Sequence, residues 1–125
     1  MTVSVLTIVQ NRAGHLEQLV EGLRRSFVTP HELIVVDMGS DPPVRVEGVT
    51  FPCRIVHMPI GGLPLAAARN TAANLATGQK LLFLDVDCIA MRGLVGAMTE
   101  ALEAENALIC AQVRYLGKDD ARGEW

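Results

Sequence analysis

The chain has 125 residues, half hydrophobic and a fifth charged, which is enough for one domain around a single core and too apolar for a disordered segment. A net charge of −3 with no Lys/Arg cluster excludes a nucleic-acid phosphate backbone as partner. Three scattered cysteines, Cys53, Cys88 and Cys110, exclude a disulfide framework or a C-x-x-C zinc site and fit a reduced, cytoplasmic setting.

The first segment, MTVSVLTIVQNR, has no basic leader, and its apolar run falls far short of the roughly 20 residues that span a bilayer. Sequence alone therefore predicts a soluble chain, in the cytoplasm or peripheral at the inner membrane face. Val3 to Val9 is a run of mostly β-branched and apolar residues, too short for a buried helix, and reads as a strand covered on both faces. After Asn11, a candidate cap, the residues Leu16, Leu19, Val20, Leu23 and Phe27 recur at three- and four-residue spacings and predict one helix face, with Pro30 blocking its continuation. Glu32 to Asp37 (ELIVVD) is a second buried strand, followed by the turn-rich MGSDPP. Arg54 to Met58 predicts a shorter strand, and Pro59, Gly61, Gly62 and Pro64 interrupt regular structure after it. The Ala-rich LAAARNTAANLATG predicts a helix closed by Gly78. Lys80 to Asp85 (KLLFLD) reads as another buried strand, Leu94 to Glu105 as a helix, and Ala107 to Tyr115 (ALICAQVRY) as a last strand. Strands alternating with helices predict an α/β layer with a mostly parallel, Rossmann-like sheet over residues 1–116 and a polar tail over 117–125.

In open parallel sheets ligands bind beyond the carboxyl ends of the strands. Those ends here read Gln10-Asn11-Arg12, Asp37-Met38-Gly39-Ser40 and Asp85-Val86-Asp87, three polar clusters expected on one edge. Asp85 and Asp87, just past a buried strand, can present oxygens to Mg²⁺ or Mn²⁺ while leaving positions for phosphate; on spacing alone, a pair of solvated turn aspartates is the commoner explanation. Asp37 can accept a hydrogen bond from a base or ribose, or else close the MGS turn. Gly61 and Gly62 lead into the Ala-rich helix, whose free amides can face a phosphate, with Arg69 available for bidentate charge-assisted bonds. No G-x-G-x-x-G, P-loop or G-x-S-x-G pattern is present. His15, His31 and His57 share no metal-ligand spacing and read as surface or core fillers, and Cys88 as a small thiol packed behind its loop.

Taken together, VSVLTIVQNR, ELIVVDMGSD, GGLPLAAARNTAA and LLFLDVDC, in that order and spacing, resemble the N-terminal half of family 2 glycosyltransferases, which have the GT-A fold. The resemblance runs from Val3 to about Tyr115. It implies that Asp37 contacts the base, usually uracil, that Arg69 lies near the uridine or diphosphate, and that Asp85-Val86-Asp87 is the Asp-x-Asp motif, with Asp87 the direct Mn²⁺ or Mg²⁺ ligand and Asp85 nearer the ribose or sugar. Two departures stand out: Ile8, Val9 and Gln10 replace a frequent Pro-Thr-Tyr, and Met38 replaces a second acid. The implied activity is inverting transfer of a sugar from a nucleotide-diphospho-sugar to a glycan, lipid or protein acceptor. The catalytic base such a transfer needs is not found; Asp119, Asp120 and Glu124 read as solvated charges of the tail. The alternative is a truncated or non-catalytic nucleotide-sugar binding module acting in assembly, its free sheet edge covered by a partner or by a second copy in a homodimer. A sugar nucleotidyltransferase is disfavoured, because Gln10 to Gly14 lacks a basic, glycine-rich phosphate loop.

Overall fold

The first strand, β1 (Val3–Val9), is buried at all seven positions, as its largely β-branched and apolar sequence requires of a strand covered on both faces. The same holds for the six residues of β2 (Glu32–Asp37). With β3 (Cys53–His57) and β4 (Lys80–Phe83) they form a four-stranded parallel sheet in the order β3-β2-β1-β4. This computed structural model describes residues 1–59 and 61–120; Glu124 and the rest of the tail beyond 120 lie outside it.

Side-chain alternation splits the core into two layers. Val3, Val5 and Val9 face α1 (Ala13–Arg24) and α3 (Leu94–Ala104), meeting Leu16, Leu19, Leu23, Val95 and Met98. Leu6, Ile8, Ile34 and Val36 face the other way, against Ala68 and Ala72 of α2 (Leu65–Leu75). The small alanines let the α2 backbone lie close to the sheet. Full burial of side chains such as Leu19 in the first layer and Leu6 and Ile34 in the second stabilises the fold by about 2 kcal/mol each. Helices on both faces of a parallel sheet bear out the expected class.

Several local expectations are corrected. α1 stops at Arg24, well before Pro30, and Phe27 lies outside it at 79% exposure, with its backbone N–H donating to Arg92 O. Asn11 is not the cap; Arg12 holds that position, and Asn11 has a left-handed φ of 52°. α2 ends at Leu75, so Gly78 does not close it. Gly78 is needed for another reason: a Cβ there would lie 2.5 Å from Ser4 Oγ and 2.8 Å from Ser4 N. β4 ends at Phe83 rather than Asp85 and is an edge strand, with Leu81 and Phe83 partly exposed. Residues 107–115 form no strand: they join no ladder, and Leu108, Val113 and Tyr115 are largely exposed. Apolar alternation sets a preference for extended chain, but a strand exists only with a hydrogen-bonded neighbour, and this segment has none.

Candidate functional site

The strand order turns at β1, which lies between β2 and β4, so the crevice of an open parallel sheet is expected beyond the carboxyl ends of β1 and β4. Arg69 of α2 reaches across this point, its Nη2 3.5 Å from Asp85 Oδ1. Beneath the pair a cavity of about 10 Å³, room for about one water, is lined by Leu6, Ile8, Ala72 and Phe83 among others. Both side chains are well exposed, so the pair adds at most a few tenths of a kcal/mol to stability and leaves both charges available to a ligand.

Asp85, Val86 and Asp87 form the turn after β4, closed by Cys88 N–H donating to Asp85 O at 2.9 Å. The two carboxylates are exposed and Val86 packs back against the core. Burial, with Asp87 and Asp85 adding their charge, holds the Cys88 thiol above its ordinary range. Among the described residues no group of three or more His, Cys, Asp or Glu side chains gathers into a metal cage. What is present, two exposed hard-oxygen donors, fits Mg²⁺ or Mn²⁺ only if other ligands complete the shell. Arg69 already competes for Asp85, so Asp87 is the carboxylate freer to bind a cation directly.

Beyond β2, Asp37 takes the second of its two expected roles, that of closing the turn. Its residue has no exposed surface, and its oxygens are occupied: Oδ1 accepts from Ser40 N at 2.8 Å and Oδ2 from Val44 N at 3.1 Å. Burial pushes its pKa up, but the Ser40 and Val44 hydrogen bonds and the charge of His57 outweigh this and hold it below the ordinary carboxylate range. The carboxylate thus closes the loop after β2. That loop is also tied to β1: Gln10 Nε2 donates to Met38 O at 3.0 Å, Asn11 N to Ser40 Oγ at 2.9 Å, and Asp41 N to Asn11 Oδ1 at 2.8 Å. The left-handed turn at Asn11 lets one residue donate and accept across to the neighbouring loop. Arg12 follows, exposed at the start of α1. Met38 is buried in the α2 layer, as an acid there could not be without a partner.

Gly61 and Gly62 are exposed in the loop entering α2; Gly62 has φ 79°, and a side chain at either would meet no atom within 4 Å, which leaves room for a ligand close to the backbone. One group was missed at the sequence level. His57, read there as a filler, ends β3 in register with Asp37 and places Nδ1 3.3 Å from Asp37 Oδ2. Parallel pairing of the last residues of ELIVVD and CRIVH was the only available signal. A cavity of about 600 Å³ lies between α1 and residues such as Arg45, Glu47, Ile89 and Ala90, and none of the expected site residues lines it.

Comparison with known proteins agrees with this geometry. The chain is 27% identical over 109 residues to the uncharacterized glycosyltransferase YwdF of Bacillus subtilis, covering 82% of this chain and 39% of that protein. It is 38% identical over 94 residues to the pre-mycofactocin glycosyltransferase of Mycobacterium tuberculosis, covering 73% of this chain and 19% of that one. The chain thus spans well under half the length of these relatives. In fold it is similar to crystal structures of S. aureus TarS 1-349, including complexes with UDP and UDP-GlcNAc, at TM-score 0.69 and 18% identity, covering 85% of this chain and about a third of that one. Among the described residues no helix is long and apolar enough to cross a membrane. The model of the family described as "Glycosyl transferase family 2" matches residues 4–125, and the chain belongs to that family.

Proposed function

We propose that this chain is the donor-binding part of a glycosyltransferase that moves a sugar from a nucleotide-diphospho-sugar, a UDP-sugar by preference, to an acceptor with inversion. The observation that carries the reading is the meeting of Arg69 and Asp85 across the crevice between β1 and β4, beside an exposed Asp87. A guanidinium there binds and orients a diphosphate with charge-assisted hydrogen bonds. Asp87, with Asp85 next to it, would hold Mn²⁺ or Mg²⁺; when bound, such an ion neutralises the departing diphosphate as a Lewis acid. Asn11, Ser40 and Asp41 shape the adjoining wall, and Gly61 and Gly62 leave open backbone for the phosphates. UDP and UDP-GlcNAc, bound by the similarly folded TarS, support the choice of uridine donor.

A second reading, a binding module that works in assembly, draws on the free edge of β4, where Phe83 is 49% exposed, and on the exposed Leu108 and Tyr115. Metal-dependent affinity separates the two. Calorimetric titration with UDP and UDP-sugars should give heat with Mn²⁺, and Asp87→Ala should lower that affinity at least tenfold, about 1.4 kcal/mol. UDP binding that is indifferent to both Mn²⁺ and Asp87 would favour the module.

A further inference from the structure

Asp87, the carboxylate freer to bind a cation, sits on an exposed turn, so its place is set by the chain on either side of it. We propose that Gly22 of α1 is a positioning residue for this turn, holding the segment that follows Asp87 through a backbone contact that a side chain would push apart; the proposal rests on the donor reading above.

On one side the turn is held by Val86, which packs against the core, and by Cys88 N–H on Asp85 O. On the other side, residues 88–91 belong to no helix or strand and rest on α1 instead. Ala90 is buried in the core of the first layer. Its backbone lies directly on Gly22: a Cβ there would stand 3.0 Å from Ala90 N, 3.1 Å from Ala90 O and 3.2 Å from Ile89 Cγ2. Five residues beyond Gly22, Phe27 N–H donates to Arg92 O at 3.0 Å. The strap that leaves Asp87 is thus pinned to α1 at two places, the first of them only three residues away. A glycine inside a helix weakens it relative to alanine, and Gly14 of the same helix has open space around it, so the close approach of Ala90 is what distinguishes Gly22. Alanine at position 22 would force the Ala90 backbone away by a few tenths of an ångström. Distances in a metal shell tolerate only about 0.2 Å. Asp87 lies between two fixed points, Val86 and Ala90, so a shift at the second reaches its carboxylate.

Calorimetry of UDP with and without Mn²⁺ on the 125-residue chain measures how far the metal raises UDP affinity. Altering groups that orient a metal ligand costs roughly 10–100-fold in metal affinity. Gly22→Ala, acting through the backbone, should lower the Mn²⁺ enhancement by roughly tenfold, the lower end of that range, and leave metal-free UDP affinity at the wild-type value. Gly14→Ala, in the same helix, should keep both. A folded Gly22→Ala with full Mn²⁺ enhancement overturns the assignment and leaves the donor reading intact. So does one that loses metal-free and Mn²⁺-dependent affinity in equal measure, the mark of a residue that only holds the fold together. Absence of Mn²⁺-dependent UDP binding by the wild type overturns both readings. The wild type also supplies a readout that does not need Gly22→Ala to fold. On addition of Mn²⁺ and UDP the Phe27 amide, bonded to the far end of the strap, should exchange more slowly, while that of Thr77, bonded to Glu32, should not change. Slowing at both alike, or at neither, overturns the proposal.

Discussion

Asp37→Asn replaces a buried carboxylate by an amide of the same shape, and the structure says what that costs. The carboxylate accepts from Ser40 N, Val44 N and the Ser40 side chain with both oxygens. The amide keeps one acceptor oxygen, while its NH2 is forced against a backbone donor. Hydrogen bonds to an ionised group contribute about 1.5–3 kcal/mol, and a buried donor left facing another donor loses as much again, so a net loss of about 3 kcal/mol is expected. For a 125-residue domain this corresponds to a fall in Tm of roughly 10 °C. The pH dependence supplies a second signature. The folded pKa of Asp37 is depressed, so its contribution is present above the unfolded value, near 4, and is lost as pH falls through the lower folded value. Urea unfolding followed by circular dichroism should therefore show the gap between wild type and Asp37→Asn largest at about pH 7 and shrinking toward pH 3. A gap below about 1 kcal/mol at neutral pH, or one that does not change on acidification, would refute this account of the loop.

Further predictions concern the opposite end of the sheet and the glycines. Glu32 is buried, and its Oε1 accepts from Ser4 Oγ at 2.6 Å, Thr77 N at 2.6 Å and Thr77 Oγ1 at 2.9 Å, tying the chain after α2 to β1 and β2. Burial raises its pKa, but the Ser4 and Thr77 bonds hold it lower overall, so Glu32→Gln should cost about 2 kcal/mol at neutral pH and less in acid, with amide exchange at Thr77 and Gly78 accelerated. Gly78→Ala drives a Cβ into the Ser4 backbone and should destabilise by about 1–3 kcal/mol in thermal unfolding. Gly14→Ala, inside α1 with open space around it, should instead stabilise by up to about 1 kcal/mol.

Much of this architecture is legible in the sequence, and the reasons are local. β1 and β2 are apolar over most of their length because both their faces are covered, and Leu16, Leu19, Val20 and Leu23 mark the buried stripe of α1 by spacing alone. The polar residues that end β1 and β2, and those just past β4, share an edge because parallel strands all end on the same side. What those residues do there depended on tertiary neighbours. Asp37 became a buried loop anchor because Ser40 and Val44 fold back onto it, and His57 became its exposed partner through the β2–β3 register, a pairing between residues 20 apart in the chain that no motif records. Gly78 matters through Ser4, distant in sequence, rather than through its own helix. Residues 107–115 have the composition of a strand without being one, since composition sets only a preference for extended chain and the ladder needs a partner the described residues do not provide. Periodicity and burial are properties of one segment and can be read from it; hydrogen-bond partners and strand neighbours belong to pairs of segments, and only the folded arrangement selects them.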